Sequence, residues 1–182
     1  YDGTPLHLTA TTQVRAQPYV DGEATGEPGT ALYVANTVET AHDLPVVVMD
    51  AYGAGKPGRE WADGATLVME PGADGTTSPA AAPTLASRAG FHLRGQSSSQ
   101  FDKAPYRLEL RDNEDDDLDL PVLGMPADSD WVLRGPYPDK TLIRDAFAYT
   151  LGRDMGLKAP RYAFVEVYLN LDGGPLTEED YQ

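Results

Sequence analysis

Phosphate chemistry needs hydrogen-bond donors and positive charge in one place, and one stretch of this chain has both. From Arg94 to Arg107 the sequence runs RGQSSSQFDKAPYR. Gly95 lets a backbone come close. Ser97, Ser98 and Ser99 offer hydroxyls and amides, and Arg94, Lys103 and Arg107 bring positive charge to a chain of net charge −15. Donors around the phosphates, with a cation to neutralise developing charge, are what phosphoryl transfer requires. The same residues also describe an exposed hairpin loop with ordinary polar side chains. Composition and spacing leave both readings open.

Other groups carry weaker chemistry. Lys140 and Arg144 stand four apart, which places them on one face of a helix. They suit a nucleotide or substrate contact, or surface pairing with Asp145 and nearby acids. Gly53-Ala54-Gly55-Lys56 is not a phosphate loop, because the positions that need Gly and Ser or Thr hold Asp50 and Pro57. Asp128 and Asp130 form a carboxylate pair of the kind that holds Mg²⁺, but their place before a Trp-bearing strand reads as a turn. The acidic run Asp112–Asp119 lacks the Gly and Glu positions of a calcium loop and reads as a solvated loop. Glu166 sits among apolar neighbours and needs a partner there; Arg144 or Arg161 could serve. His7, His42 and His92 have no metal-ligand spacing, and His92 reads as packed in a strand. No catalytic or metal-ligating residue is assigned from spacing.

The elements that must position these groups are mostly strands. Alternating apolar residues predict strands over Thr4–Ala10, Thr12–Gln17 and Gly29–Ala35, with Val14, Ala16, Tyr19 and Val20 facing Leu32 and Val34. Leu44–Asp50 is a continuous apolar run, expected to be buried on both faces. A glycine-rich loop follows over Ala51–Asp63. Further strands are expected at Ala65–Met69, Ala89–Arg94, Tyr106–Arg111, Asp130–Arg134 and Pro160–Asn170. Pro71–Pro83 reads as a flexible insertion. One helix is expected over Thr141–Met155, with Leu142, Ala146, Phe147, Leu151 and Met155 on one face, Asp139 capping its start and Gly156 ending it. Strands with one helix suggest an α+β fold.

The whole composition narrows the partners. The 182-residue chain is 41% hydrophobic, enough for a real core, and has no apolar run near the ~20 residues of a membrane span. Its acidity repels phosphate backbones, which argues against nucleic acid as a partner. With no cysteine it has neither disulfides nor thiolate chemistry. Because it opens at Tyr1 and closes at Gln182 without a terminating element, it is expected to be a segment of a longer protein.

Two resemblances add to this reading. The stretch GTPLHLTATTQVRAQPYVDGEATG, followed by GTALYV, resembles the tail of the fibronectin-like module at the C-terminus of chitobiases and hexosaminidases, a secreted accessory β-sandwich without catalytic residues. From about residue 44 to 170 the chain resembles the CotH-type, spore-coat kinase-like family. GFHLRGQSSSQFDKAPYRLELRD (90–112) and LPVLGMPADSDWVLRGPYPDKTLIRDAFAYTLGRDMGLKAPRYAFVEVYLN (120–170) carry that resemblance in order. The chain departs from the pattern at Ala104, where the family has a second Lys, and at Asp145, where it has Asn.

The resemblance implies an atypical protein kinase that transfers phosphate from ATP, with Mg²⁺ or Mn²⁺, to Ser or Thr of coat or surface proteins, secreted or held at a cell surface or spore coat. The expected domains are the last strands of a β-sandwich (1–35), a linker (36–43), and the N-terminal half of a CotH-like domain (44–182). The family's catalytic acids are expected beyond Gln182, so this segment would supply the phosphate-covering loop and be inactive alone. Arg94, Gly95, Ser97, Ser98, Lys103, Arg107, Lys140 and Arg144 are then the expected cofactor-binding residues. The alternative is a non-catalytic adhesion or coat protein with a degenerate kinase fold.

Overall fold

Period-two alternation of apolar residues builds the central sheet. The computed structural model describes residues Tyr1–Gln182. In it six strands lie in the order β10-β5-β6-β7-β8-β9. They are β5 (Val46–Asp50), β6 (Ala62–Met69), β7 (Leu85–Leu93), β8 (Tyr106–Arg111), β9 (Asp130–Leu133) and β10 (Glu166–Asn170). Neighbours from β5 to β9 pair antiparallel, whereas β10 runs parallel to β5. With a single helix, α1 (Arg144–Asp154), the fold is mostly β, and α+β describes it only loosely.

Each face of the sheet has its own core. On one face Val47, Met49, Val68, Ala89, Phe91, Leu108, Leu110 and Leu169 pack together, covered by Leu118, Leu120, Val122 and Leu123 of the segment after β8. On the other, Val46, Val48, Leu67, Met69 and Tyr168 meet Val38, Leu176, Leu32 and Val34. Every residue of β5 is buried, as its unbroken apolar run predicts. Residues 36–43 are pinned to this second face: Asn36 bridges Leu176, and His42 bridges Thr77. The bridge to Thr77 also anchors the Pro/Gly-rich segment 71–83.

Before the sheet come two ribbons. β1 (Thr12–Ala16) pairs with β4 (Gly29–Tyr33), and β2 (Tyr19–Val20) with β3 (Glu23–Ala24). β1 and β4 pair as expected but in another register: Val14 lies opposite Ala31 and Ala16 opposite Gly29, while Leu32 faces Gln13. Tyr19 and Val20 do not join this pairing, because Asp21 (φ 53°) and Gly22 (φ 86°) turn the chain straight back onto Glu23 and Ala24. Thr4–Ala10 forms no strand; no neighbouring strand offers it a partner. The ribbon is tied to the sheet domain by Asn113, which hydrogen-bonds Thr30 and Pro28 while its carbonyl accepts from Arg15.

Two more elements are shorter than expected. The helix begins at Arg144, not Thr141, because Leu142 sits at φ 61° and the Asp139 carboxylate accepts the Thr141 and Arg144 amides. The strand expected from Pro160 begins at Glu166, whose amide donates to the Pro45 carbonyl at the start of β5. No strand partner exists beyond that point.

Candidate functional site

Two lysine-bearing loops converge at one end of the sheet. The first links β7 to β8. Gly95 holds φ 83°, and a Cβ there would lie 2.0 Å from Ser98 Oγ, so only glycine lets the chain fold back on itself here. A single 3-10 turn, Ser98–Gln100, follows, and the Arg94 amide closes the loop on the Pro105 carbonyl at 3.0 Å. The second loop leaves β9 at Gly135 and runs to Leu142. The Lys103 stem crosses Gly135 so closely that a Cβ there would meet Lys103 Cγ at 2.3 Å.

Tyr137 joins the two loops. Its ring stacks on Phe101 with centroids 5.5 Å apart, its hydroxyl donates to Asp102 Oδ2 at 3.2 Å, and the Lys140 ammonium sits 4.3 Å from its centroid. The result is an open cleft of about 500 Å³ lined by Asp102, Lys103, Tyr137, Lys140 and Leu142, with Tyr181 and Gln182 from the tail. The Tyr181 hydroxyl donates to Glu166 Oε2 at 2.6 Å. That bond to a carboxylate, with burial, pushes the phenol up to about 12. Neither Lys103 nor Lys140 forms an ion pair. Two ammonium groups without ion-pair partners, beside a cleft that also holds the Asp102 carboxylate, make this a local concentration of positive charge in a chain of net charge −15.

The other expected residues lie elsewhere or are already engaged. Arg107 projects from β8 onto Asp130 with two hydrogen bonds, 3.0 and 2.7 Å, and lies over Trp61. The Asp130 carboxylate raises its pKa further, and this pairing gives Asp130 a role without a metal. Arg144 lies on Asp139 at 3.4 Å. It shares no helix face with Lys140, because Lys140 precedes the helix. Arg94 and Ser97 are exposed, and Ser98 packs against Gly95. Glu166 takes its hydrogen bond from Tyr181, not from Arg144, Arg161 or Lys103. The acidic run is a folded turn in which Asp112 Oδ1 accepts the Glu114 and Asp116 amides and Asp115 pairs with Arg88 at 2.5 Å.

Sequence reasoning missed Tyr137, Phe101 and Tyr181. Their only signal was an aromatic beside each lysine-bearing turn, Phe101 near Lys103 and Tyr137 near Lys140. Phosphate oxygens fit the two ammonium groups. A divalent cation does not fit as well: no three His, Asp or Glu side chains converge to hold one. No helix is long and apolar enough to cross a membrane.

A family model described as CotH kinase protein matches residues 91–181. No curated protein and no solved structure matches the chain. With half of its length under that model, both lysine-bearing loops included, the chain belongs to the CotH kinase protein family.

Proposed function

We propose that this chain provides the phosphate-receiving part of a CotH-type protein kinase that transfers phosphate from ATP to Ser or Thr of coat or cell-surface proteins. The observation that carries the reading is the convergence of Lys103 and Lys140, both without ion-pair partners, on one cleft inside the family-matched residues. Lys103, held over Gly135, pairs with the phosphates, and Lys140 on Tyr137 is the second cation. The Gly95–Ser98 fold shapes the loop that covers them. No catalytic base and no ligand for Mg²⁺ or Mn²⁺ is assigned to these residues. Secretion to a cell surface or spore coat belongs to the same proposal. So does an origin of residues 1–35 in a chitobiase-type sandwich module.

Calorimetry of ATP binding, with Mg²⁺ and with Mn²⁺, tests the reading. Lys103→Ala and Lys140→Ala are each expected to weaken binding by tenfold or more, about 1.4 kcal/mol. Arg107→Ala, which leaves the cleft intact, should change it little. Equal losses in all three variants, or no binding with either metal, would reject the assignment.

One feature favours a second reading, a non-catalytic surface or coat protein. α1 exposes Phe147, at 67%, together with Leu151, and Met155, Leu157 and Phe164 beyond it are exposed too. Apolar surface of this kind suits association. Folded protein that binds no ATP would turn the interpretation that way.

A further inference from the structure

Asp50 and Asn170 are the last residues of two parallel neighbours, β5 and β10, and they are register partners with side chains on the same face. Both are 0% exposed. Each has one satisfied side-chain atom: Asp50 Oδ1 accepts the Tyr52 amide at 2.8 Å, and Asn170 Nδ2 donates to the Gly174 carbonyl at 2.9 Å. That second bond fixes the amide orientation, because a carbonyl can meet only the NH₂ side. What remains is one oxygen on each residue, Asp50 Oδ2 and Asn170 Oδ1, buried and without a hydrogen-bond partner.

Two buried acceptors on register partners, each without a hydrogen-bond partner, carry the desolvation penalty of buried polar groups. One proton on Asp50 resolves both defects. We propose that Asp50 is a neutral carboxylic acid in the folded protein and that its proton bridges Oδ2 to the side-chain carbonyl of Asn170.

The surroundings agree. Burial is the largest influence on Asp50 and raises its pKa. Asp172 and Asp180 of the tail raise it further, and no cation acts on it appreciably. The Tyr52 amide and the Thr11 hydroxyl from the N-terminal ribbon favour the charged form, but Thr11 makes no hydrogen bond to Oδ2. Arg88 of β7 is close enough to act on Tyr52; its two terminal nitrogens go to Asp115 and the Asp112 carbonyl, while its buried Nε has no hydrogen-bond partner. Tyr52 itself is pushed up to about 12, first by burial and then by Asp50, so it supplies no negative charge at neutral pH.

The shared proton lies where two glycine loops interlock. A Cβ on Gly173 would come within 3.0 Å of Gly53 Cα, and the Ala51 and Gly55 amides donate to the Asn170 and Leu171 carbonyls. Ionising Asp50 places an unpaired charge beneath this clasp, which joins β5 to the tail leading back to the cleft. A raised folded pKa sets the sign. The stabilisation is complete below the unfolded Asp value of about 3.9 and is lost as pH rises through the folded value.

Urea unfolding of wild type and Asp50→Asn across pH 4–8 tests the proposal. Asn in place of Asp50 supplies a permanent N–H to Asn170 and still accepts from Tyr52. The expected result is an unfolding midpoint that falls with pH in wild type, less steeply or not at all in Asp50→Asn, with the variant at least as stable at pH 8. Wild type labelled with ¹³C-aspartate should also show one carboxyl at the protonated chemical shift at neutral pH. The proposal is overturned if every aspartate carboxyl is ionised at pH 6. It is equally overturned if Asp50→Asn shifts the folding equilibrium tenfold or more toward the unfolded state while the pH slope stays unchanged, or if sodium or potassium, not protons, sets wild-type stability.

Discussion

Gly95 shows how one missing side chain shapes the lysine loop. Its φ of 83° disfavours any L-residue, and the Ser98 hydroxyl occupies the space a Cβ would need. Gly95→Ala is therefore expected to cost about 1–3 kcal/mol, read from urea unfolding. Adding Ser98→Ala should recover only the steric part, because the backbone strain remains. A Gly95→Ala protein as stable as wild type would mean that the loop does not fold back this way. The lysines differ from the arginines for a related reason. Arg88, Arg107 and Arg111 project from strands onto facing carboxylates and are neutralised there. Lys103 and Lys140 lie on loops whose nearest packing partners are a glycine and an aromatic ring.

At the scale of elements, strand β7 and helix α1 occupy opposite situations. Phe91 of β7 is fully buried and packs edge-on to Tyr106 at 6.3 Å. Phe147 of α1 faces solvent, and Ala146 is the helix's sole buried residue. Phe91→Ala should thus cost about 3–5 kcal/mol, whereas Phe147→Ala should stay within about 0.5 kcal/mol. Denaturant midpoints compare the two directly, and a large loss at Phe147 would show that its face is covered in solution. The strands were legible in sequence because apolar alternation, or the unbroken run of β5, translates directly into burial. The helix was legible as a helix from its spacing, but spacing says nothing about whether the apolar stripe meets a partner. Its start was misplaced because the Asp139 turn and the left-handed Leu142 displace the first turn. Of the site, the lysines were legible by type. Their convergence was not, since it depends on β8 and β9 pairing so that the loops before one and after the other meet.

For the molecule as a whole, the second face of the sheet is closed by phenols and carboxylates. Tyr168 shares hydrogen bonds with His42 Nε2 (2.9 Å) and Glu178 Oε2 (3.4 Å), and Tyr181 stacks on His42. Burial first, then Glu178, pushes Tyr168 up to about 12. Tyr52 and Tyr181 reach about 12 as well, and burial raises Tyr106. A raised tyrosine stabilises the fold fully below its unfolded value of about 10, and that contribution is lost as pH rises through the folded value. Phenolate absorbance should therefore show a late-ionising class among the ten tyrosines of the native protein, released on unfolding. Ten ordinary titrations in folded protein would contradict the packing. The parallel pairing of β5 with β10 has a consequence for synthesis. On a ribosome, β5 through β9 can zip together hairpin by hairpin as they emerge. One flank of β5, the Val-Val-Val-Met run, has no partner until residues 166–170 are translated. Throughout that interval the nascent chain carries a bare apolar strand edge, the form most prone to join another chain. The stretch of synthesis between residues 134 and 166 is thus where the chain is most open to joining another.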